Sequence, residues 1–323
     1  MKNLSYLTCP CRKKIKLIES NNTFLCKDIN CIHATPQRAF PVFKDKPVII
    51  SEENCDTVCS MIGGQTYVAR SSEKLKGLKK FIFGESNVTV KNCKKFVNEL
   101  LQKRKNPKVL VIGSGEPGSG TDSLWNNKNI KIVGVDIYAS KTVDVICDAH
   151  YLPFEEETFD AVWIQAVLEH VVEPQVVIQE IFRILKPGGL VYAETPFMQQ
   201  VHEGPYDFTR FTVLGHRYLF KKFESISYGA NGGPEIVMAW SIKYLAWAIT
   251  NNSFFGKIVG TATSFILRPL KILYNEKALF DSSSGVFFFG CKNEEFKLRH
   301  KDLIKLYNGN IKKSNNTLNR KGQ

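Results

Sequence analysis

Residues 108–136 constrain the fold of this chain more than any other stretch. A short apolar run, Lys108–Ile112, leads directly into a turn that contains Gly113, Gly115, Gly118 and Gly120. This pattern is typical of a buried parallel strand followed by a tight turn with few side chains, which a nucleotide can approach closely. A second apolar run, 130–135, ends in Asp136, where a doubly wound sheet places a carboxylate for ribose hydroxyls. The stretch therefore predicts a nucleoside-binding half-site.

Further motifs follow this half-site in a fixed order. They are D-A-x-x-L-P-F at 148–154, F-D at 159–160, L-E-H-V at 168–171 and L-K-P-G-G at 185–189. With the glycine turn, they resemble the class I S-adenosylmethionine-dependent methyltransferases of the type 11 branch, and the resemblance covers residues 107–195. It implies an α/β fold with a doubly wound, Rossmann-like, seven-stranded sheet. It also implies S-adenosylmethionine as the cofactor.

The resemblance assigns the methionine and ribose contacts to the first half-site. The backbone of Gly113, Ser114 and Gly115 would approach the methionine part of the cofactor, because glycine permits the positive φ of such turns. Asp136 would bind the ribose hydroxyls. The family commonly has an acid two residues before the first glycine, where this chain has Val111.

The remaining cofactor contacts follow from the next two motifs. By the same resemblance, Asp148 and the Ala149 amide would contact the adenine ring, and Gln165 would line the floor beneath the methyl sulfonium. A loop-capping aspartate is the alternative interpretation of Asp148. Glu116, inserted in the glycine turn, is a candidate to replace the acid that is missing at position 111.

Polar residues that could bind the acceptor crowd the loop 198–211. This loop follows the fifth strand, and ligands of open α/β sheets bind outside the carboxyl ends of the strands. His202 is the candidate general base, with Asp207 or Glu203 orienting it. The alternative is a polar loop hydrogen-bonded to itself. His170, in the L-E-H-V motif, is expected to be structural.

Two cysteine pairs near the N-terminus predict a structural zinc site. The four thiolates of Cys9, Cys11, Cys26 and Cys31 could complete a tetrahedral site that stabilises a segment too small for its own core. The segment, residues 1–53, resembles the zinc-ribbon-like partner domain found beside some methyltransferases. His33 in place of Cys31, or reduced cysteines without metal, are the alternatives.

An apolar insertion is expected between the sixth strand, 224–230, and the seventh, 285–291. Residues 231–284 contain two helical runs that Lys243, Lys257 and Arg268 interrupt, so none reaches the ~18 apolar residues of a membrane-spanning helix. Residues 236–274 therefore suggest a hairpin that lies on a membrane surface. A helical lid or a dimer surface is the alternative, and the oligomeric state stays open.

The distribution of charge separates the expected domains. The net charge is +13, yet residues 106–235 carry 10 basic and 17 acidic side chains. A nucleic-acid methyltransferase needs positive potential around its active site, so nucleic acid is a disfavoured partner. The nine cysteines and the lack of a secretory signal at the start predict a reducing, cytoplasmic location. The expected organisation is 1–53, a linker and lead-in helix 54–105, a methyltransferase domain 106–295 and a basic, disordered tail 296–323.

The leading hypothesis is O-methylation of a saccharide or lipid-linked glycan at the inner face of a membrane. The sequence H-E-G-P-Y-D-F-T-R-F at 202–211 is similar to methyltransferases of cell-surface polysaccharide biosynthesis, which implies such an acceptor. The alternatives are an RNA or tRNA methyltransferase that uses the zinc ribbon, and a cofactor-binding scaffold without turnover.

Overall fold

A mixed sheet of 11 strands runs through the computed structural model, which describes residues 5–11, 13–50 and 86–310. The strands are β1 (Leu17–Ser20), β2 (Thr23–Cys26), β3 (Phe40–Phe43), β4 (Lys46–Ile49), β5 (Lys108–Ile112), β6 (Lys131–Asp136), β7 (Val145–Cys147), β8 (Phe159–Gln165), β9 (Leu185–Pro196), β10 (Phe223–Asn231) and β11 (Gly285–Lys292). Their order in the sheet is β1-β2-β3-β4-β7-β6-β5-β8-β9-β11-β10. The helices are α1 (Asn87–Lys103), α2 (Asp122–Trp125), α3 (Pro174–Ile184), α4 (Val213–Leu219), α5 (Pro234–Thr250), α6 (Ser253–Leu267), α7 (Glu276–Ser282) and α8 (His300–Leu303).

The parallel strands β7, β6, β5, β8 and β9 form the centre of this sheet, and their apolar runs are covered on both faces. Phe96 and Leu100 of α1 belong to the core on one face, and Val177 and Ile181 of α3 to the core on the other. The strand order reverses at β5, so the carboxyl ends of β5 and β8 flank a switch point. The Rossmann-like α/β prediction is confirmed.

The expectation that the sheet would end at seven strands is wrong. The order β7-β6-β5-β8-β9-β11-β10 contains the seven expected strands, but β4 pairs in parallel with β7 and joins the N-terminal strands β1–β4 to the same sheet. Val48 lies opposite Ile146, and Ile49 opposite Cys147. An edge strand offers unpaired backbone groups that another strand can bind. Sequence spacing alone does not reveal that two segments so far apart in the chain will pair.

Two segments differ from their sequence expectations. The sequence after the acceptor loop predicts a helix over 209–223, but α4 is shorter, because Thr212 caps its N-terminus by accepting a hydrogen bond from Gly215 N at 3.1 Å. The part of the expected tail up to residue 310 is folded: Leu298 is buried, and its N–H donates to Lys221 O at 2.8 Å. Residues 51–53 at the end of the zinc-ribbon-like segment, residues 54–85 of the linker and residues 311–323 of the tail lie outside the described residues.

Between β10 and β11, helices α5 and α6 form an antiparallel hairpin. Gly256 and Gly260 allow the close approach, because a Cβ at Gly256 would lie 2.6 Å from Lys243 O and a Cβ at Gly260 would lie 2.6 Å from Lys243 Cβ. Asn251 ends α5 in the left-handed conformation, at φ 52°, which Asn tolerates better than most residues. Within the described parts of the chain, the structure contains no helix with the length and apolarity needed to cross a membrane.

Candidate active site

The glycine turn after β5 adopts a conformation that side chains would prevent. Gly113 has φ +75°, and a Cβ there would overlap Val167 Cγ2. Ser114 is buried, and its Oγ donates to Val135 O at 3.3 Å, which anchors the turn to β6. The backbone of the turn is thus fixed in place, while glycine keeps its outer surface open to a ligand.

Asp136 lies beside this turn at the end of β6. Its Oδ2 accepts a hydrogen bond from Gly115 N at 2.7 Å, and its Oδ1 accepts one from Ile137 N at 2.8 Å. The structure therefore brings together the glycine turn and the carboxylate that were assigned to the methionine and ribose of the cofactor. These hydrogen bonds orient the carboxylate before any ligand binds.

Asp148 presents a buried carboxylate oxygen at the end of β7. Its Oδ1 accepts from His150 N at 2.8 Å and from His150 Nδ1 at 2.6 Å, and its Oδ2 has no hydrogen-bond partner among the described residues. Glu173 N donates to His150 Nε2 at 3.2 Å, so the ring proton lies on Nδ1. A buried acceptor without a donor fits the amino group of an adenine ring. Ala149, also buried, follows directly.

Gln165 connects the glycine turn to Glu194, a residue that sequence reasoning missed. Gln165 Nε2 donates to Ser119 O at 3.2 Å and to Glu194 Oε2 at 3.1 Å, and Tyr192 OH donates to Glu194 Oε1. Burial raises the pKa of Glu194 to about 7. An acid near the end of an otherwise apolar strand, V-Y-A-E-T-P, was the available signal.

Glu194 lies on the sheet face that Val111 also occupies. Val111 pairs with Trp163, which pairs with Tyr192, and Glu194 follows Tyr192 by two residues on β9. Side chains two residues apart point to the same face of a strand. A carboxyl group is therefore present on the same face of the sheet as Val111, two strands away and two residues nearer the carboxyl ends of the strands.

The acceptor loop places Asp207 against His202. Asp207 Oδ2 lies 3.1 Å from His202 Nδ1 and accepts from His202 N at 2.9 Å. Arg210 forms a bidentate ion pair with Asp207 and also donates to Gln199 O at 3.0 Å. Burial raises the pKa of Asp207, but the Arg210 hydrogen bonds outweigh burial and lower this pKa to about 2. Of the two acids predicted to orient His202, Asp207 contacts its ring, and Glu203 precedes the turn Gly204–Tyr206.

Two neighbours of His202 complete an unexpected cluster. The rings of His170 and His202 lie 4.8 Å apart, and His170 Nδ1 faces Tyr206 O at 2.6 Å. Glu169 is fully buried, and neither carboxylate oxygen has a hydrogen-bond partner among residues 5–11, 13–50 and 86–310. Burial raises the pKa of Glu169 to about 8, and burial together with the nearby His170 lowers the pKa of His202. The sequence had marked His170 only as structural and had not marked Glu169.

The four N-terminal cysteines converge within the extended sheet. Their sulfur atoms all lie within 4.8 Å of one another, and Cys9 Sγ lies 3.8 Å from Cys31 Sγ. A tetrahedral zinc ion with Zn–S bonds of about 2.3 Å needs sulfur atoms about 3.8 Å apart, so the donor set fits this metal. His33 Nδ1 instead faces Arg38 O at 2.8 Å, and the His33 ring packs on Phe40.

Comparison with known proteins identifies the central part of the chain. Residues 110–193 match the family described as methyltransferase domain. The chain contains a class I S-adenosylmethionine-dependent methyltransferase domain. This domain is 34% identical over 95 residues to the ubiquinone/menaquinone biosynthesis C-methyltransferase UbiE of Saccharophagus degradans, a match that covers 29% of this chain and 38% of that protein. It is 32% identical over 143 residues to the demethylmenaquinone methyltransferase of Renibacterium salmoninarum, which covers 43% and 57% of the two chains.

Among solved structures, this chain is similar to phosphoethanolamine N-methyltransferase 2 of Haemonchus contortus in complex with S-adenosyl-L-methionine. The sequence identity is 17%, the TM-score is 0.43, and the match covers 68% of this chain and 57% of that one. The chain thus spans less than two thirds of the length of the relatives described here.

Proposed function

We propose that this protein transfers the methyl group of S-adenosylmethionine to a hydroxyl group of a saccharide that is carried on a lipid. The observation that carries this proposal is the position of the His202–Asp207 pair. It lies in the loop after β9, at the same edge of the sheet as the turn held by Asp136. An acceptor bound there would meet the methyl donor outside the carboxyl ends of the strands.

The residues present fit the cofactor. The turn from Gly113 to Gly115, the Asp136 carboxylate and the orphaned Asp148 Oδ2 would hold its methionine, ribose and adenine parts. When bound, the cofactor supplies a methyl group activated on sulfonium sulfur. We propose that Glu194 provides the negative charge that Val111 cannot, with Glu116 as the second candidate.

On the acceptor side, we propose that His202 activates the hydroxyl group and that Asp207 orients His202. Glu203 is the alternative orienting acid. Asp207 is suited to its part because its side chain is 1% exposed and Arg210 keeps it ionised. Arg210 also fixes the loop by donating to the Gln200 carbonyl at 3.2 Å, which limits the positions that His202 can adopt.

A cavity of about 400 Å³ between the start of α1 and the insertion helices is a suitable place for the rest of the acceptor. Trp240 offers an aromatic face to a sugar ring, and Arg268 and Lys271 also line the cavity. Glu235 in its wall is buried and lies 3.1 Å from Lys271 Nζ, so it balances the charge of Lys271. The aromatic face of Trp240 is the feature of this lining that supports a saccharide acceptor.

The α5–α6 hairpin supports a lipid carrier. It exposes large apolar side chains, with exposed fractions of 60% at Leu245, 75% at Ile249 and 70% at Phe254. Lys243 and Lys257 lie on the same hairpin and could attract anionic headgroups. We propose that this surface contacts the membrane in which the acceptor is anchored, at its cytoplasmic face.

A second candidate function is C-methylation of a lipid-soluble quinone. The names of the curated relatives specify ubiquinone, menaquinone or demethylmenaquinone substrates, and the same exposed hairpin would suit a membrane-soluble acceptor. RNA methylation and a scaffold without turnover remain alternatives that no specific contact favours. For the cysteine cluster, we propose a structural zinc ion, because four thiolates leave no open position for catalysis.

The test is the transfer of labelled methyl from S-adenosylmethionine into an extract of the source cells, partitioned between organic and aqueous phases. Asp136→Ala should abolish transfer, and Glu156→Ala, an exposed acid, should not. Label in the organic phase as a methyl ether supports the lipid-linked saccharide, whereas label on a ring carbon supports the quinone. Label sensitive to nuclease would support RNA, and cofactor binding without transfer would support the scaffold.

A further inference from the structure

We propose that Glu169, His170 and His202 form a binding site for a divalent transition-metal ion. Each of the three residues offers one ligand atom, and these atoms lie within 4.8 Å of one another. Two imidazoles and one carboxylate are a donor set that suits manganese, iron, cobalt or zinc, and imidazole makes the set less suited to magnesium or calcium. Binding by this cluster does not depend on the proposed function.

The buried Glu169 carboxyl is the independent observation that points to a ligand. Its side chain is 1% exposed, and His170 Nε2 lies 3.6 Å from Oε1, beyond hydrogen-bond distance. No donor among the described residues satisfies either oxygen. An unpaired buried carboxylate is costly, and a cation in contact with it would remove that cost.

The two histidines are held as metal-binding histidines usually are. The carbonyl oxygen of Tyr206 faces His170 Nδ1 at 2.6 Å, and the Asp207 carboxylate faces His202 Nδ1 at 3.1 Å. A partner on Nδ1 fixes the tautomer and turns Nε2 toward a metal. His170 and His202 are 32 residues apart in the sequence. They meet only because the acceptor loop folds back onto the segment after β8.

The positive charge of Arg210 does not oppose a cation in this cluster. Its guanidinium forms a bidentate ion pair with Asp207, which neutralises it. Three protein ligands leave coordination positions open for water or for an oxygen of the acceptor. If the proposed function also holds, the cation would activate the acceptor hydroxyl in place of a free His202 nitrogen, because coordination lowers the pKa of a bound hydroxyl group, and the released proton would go to solvent.

The test measures cation binding in the full chain, without cofactor or acceptor. The cysteine cluster is first loaded with one equivalent of Zn²⁺, which four soft thiolates bind in preference to two imidazoles and a carboxylate. Mn²⁺, which thiolates bind poorly, is then titrated while electron paramagnetic resonance reports free Mn²⁺. We expect saturable binding that Glu169→Gln and His202→Ala weaken at least about tenfold. The matched controls are Glu173→Gln, at an exposed acid, and His300→Ala, at a histidine outside the cluster. Both controls should bind Mn²⁺ as tightly as the unchanged chain does.

Absence of Mn²⁺ binding by the folded chain, or unchanged affinity in His202→Ala, would overturn the site. His202 lies on an exposed loop, so this variant keeps the test valid even where Glu169→Gln fails to fold. The outcome is independent of catalysis. Mn²⁺ binding without methyl transfer supports the cation site and contradicts the proposed function. Methyl transfer that resists a chelator, in a chain that does not bind Mn²⁺, supports the proposed function and contradicts the cation site.

Discussion

Glu194 should make the stability of this protein depend on pH, and Glu194→Gln should remove that dependence. Burial raises the pKa of Glu194 from its usual 4.5 to about 7 in the folded chain. The folded state therefore binds a proton more tightly than the unfolded state. The resulting stabilisation is complete below pH 4.5 and is lost as the pH rises through 7. The shift corresponds to about 3 kcal/mol, most of it lost between pH 5 and 7.

The glutamine side chain of Glu194→Gln has nearly the shape of glutamate but cannot ionise. The amide has one oxygen where the carboxylate has two, so only one of the donors Gln165 Nε2 and Tyr192 OH keeps its acceptor, and the lost hydrogen bond costs about 1 kcal/mol at every pH. The slope with pH, and not the stability at one pH, is therefore the informative quantity. Glu169, whose pKa is also raised, contributes equally to both proteins and cancels in the comparison.

Urea unfolding of both proteins at several pH values between 5 and 8 measures this slope. Relative to the unchanged chain, the free energy of unfolding of Glu194→Gln should rise by about 2 to 3 kcal/mol across this range. Glu156→Gln, at an exposed acid, should follow the unchanged chain. Parallel curves for Glu194→Gln and the unchanged chain would refute the argument, because they would mean that Glu194 is ionised without cost in the folded state.

Three further substitutions or treatments test other parts of the molecule. Gly113→Ala should weaken S-adenosylmethionine binding more than tenfold in a calorimetric titration. The control Gly188→Ala is also at positive φ but has nothing within 4 Å of the new Cβ, so it should cost only about 1 kcal/mol of stability. If Gly113→Ala and Gly188→Ala changed cofactor affinity equally, the overlap with Val167 would be unimportant. Zinc removal, or Cys26→Ser, should make the backbone amides of β1–β4 exchange with solvent while those of β5 stay protected. Cys291→Ser, at a cysteine outside the cluster, should leave β1–β4 protected. Protection of β1–β4 in the metal-free chain would argue against a structural zinc. The double variant Leu245→Glu with Ile249→Glu should reduce binding to anionic vesicles. The control Ile304→Glu should not, because Ile304 is 75% exposed but lies outside the hairpin. Equal binding by the double variant, the control and the unchanged chain would exclude the hairpin as the membrane contact.

The cofactor half of the site could be predicted because its residues are close in sequence. Gly115 and Asp136 are 21 residues apart and are joined by one strand–turn–strand unit, so local pattern already implies that they meet. Glu194 and Glu169 were missed for a different reason. Glu194 lies in β9, whose apolar residues dominate the pattern, and Glu169 lies in the turn Leu168–His170. Only the packing of β8 against β9 and of the acceptor loop against that turn shows that their carboxyl groups are buried.

The sequence by itself determined the Rossmann-like architecture, the methyltransferase motifs and the pairing of the glycine turn with Asp136. These depend on hydrophobic periodicity and on glycine positions, which act over a few residues. Tertiary structure decided the 11-stranded sheet, the convergence of Glu169 and His170 with His202, and the burial that raises the pKa of Glu194. Such features depend on contacts between distant segments and on exclusion of water, and neither can be derived from local sequence.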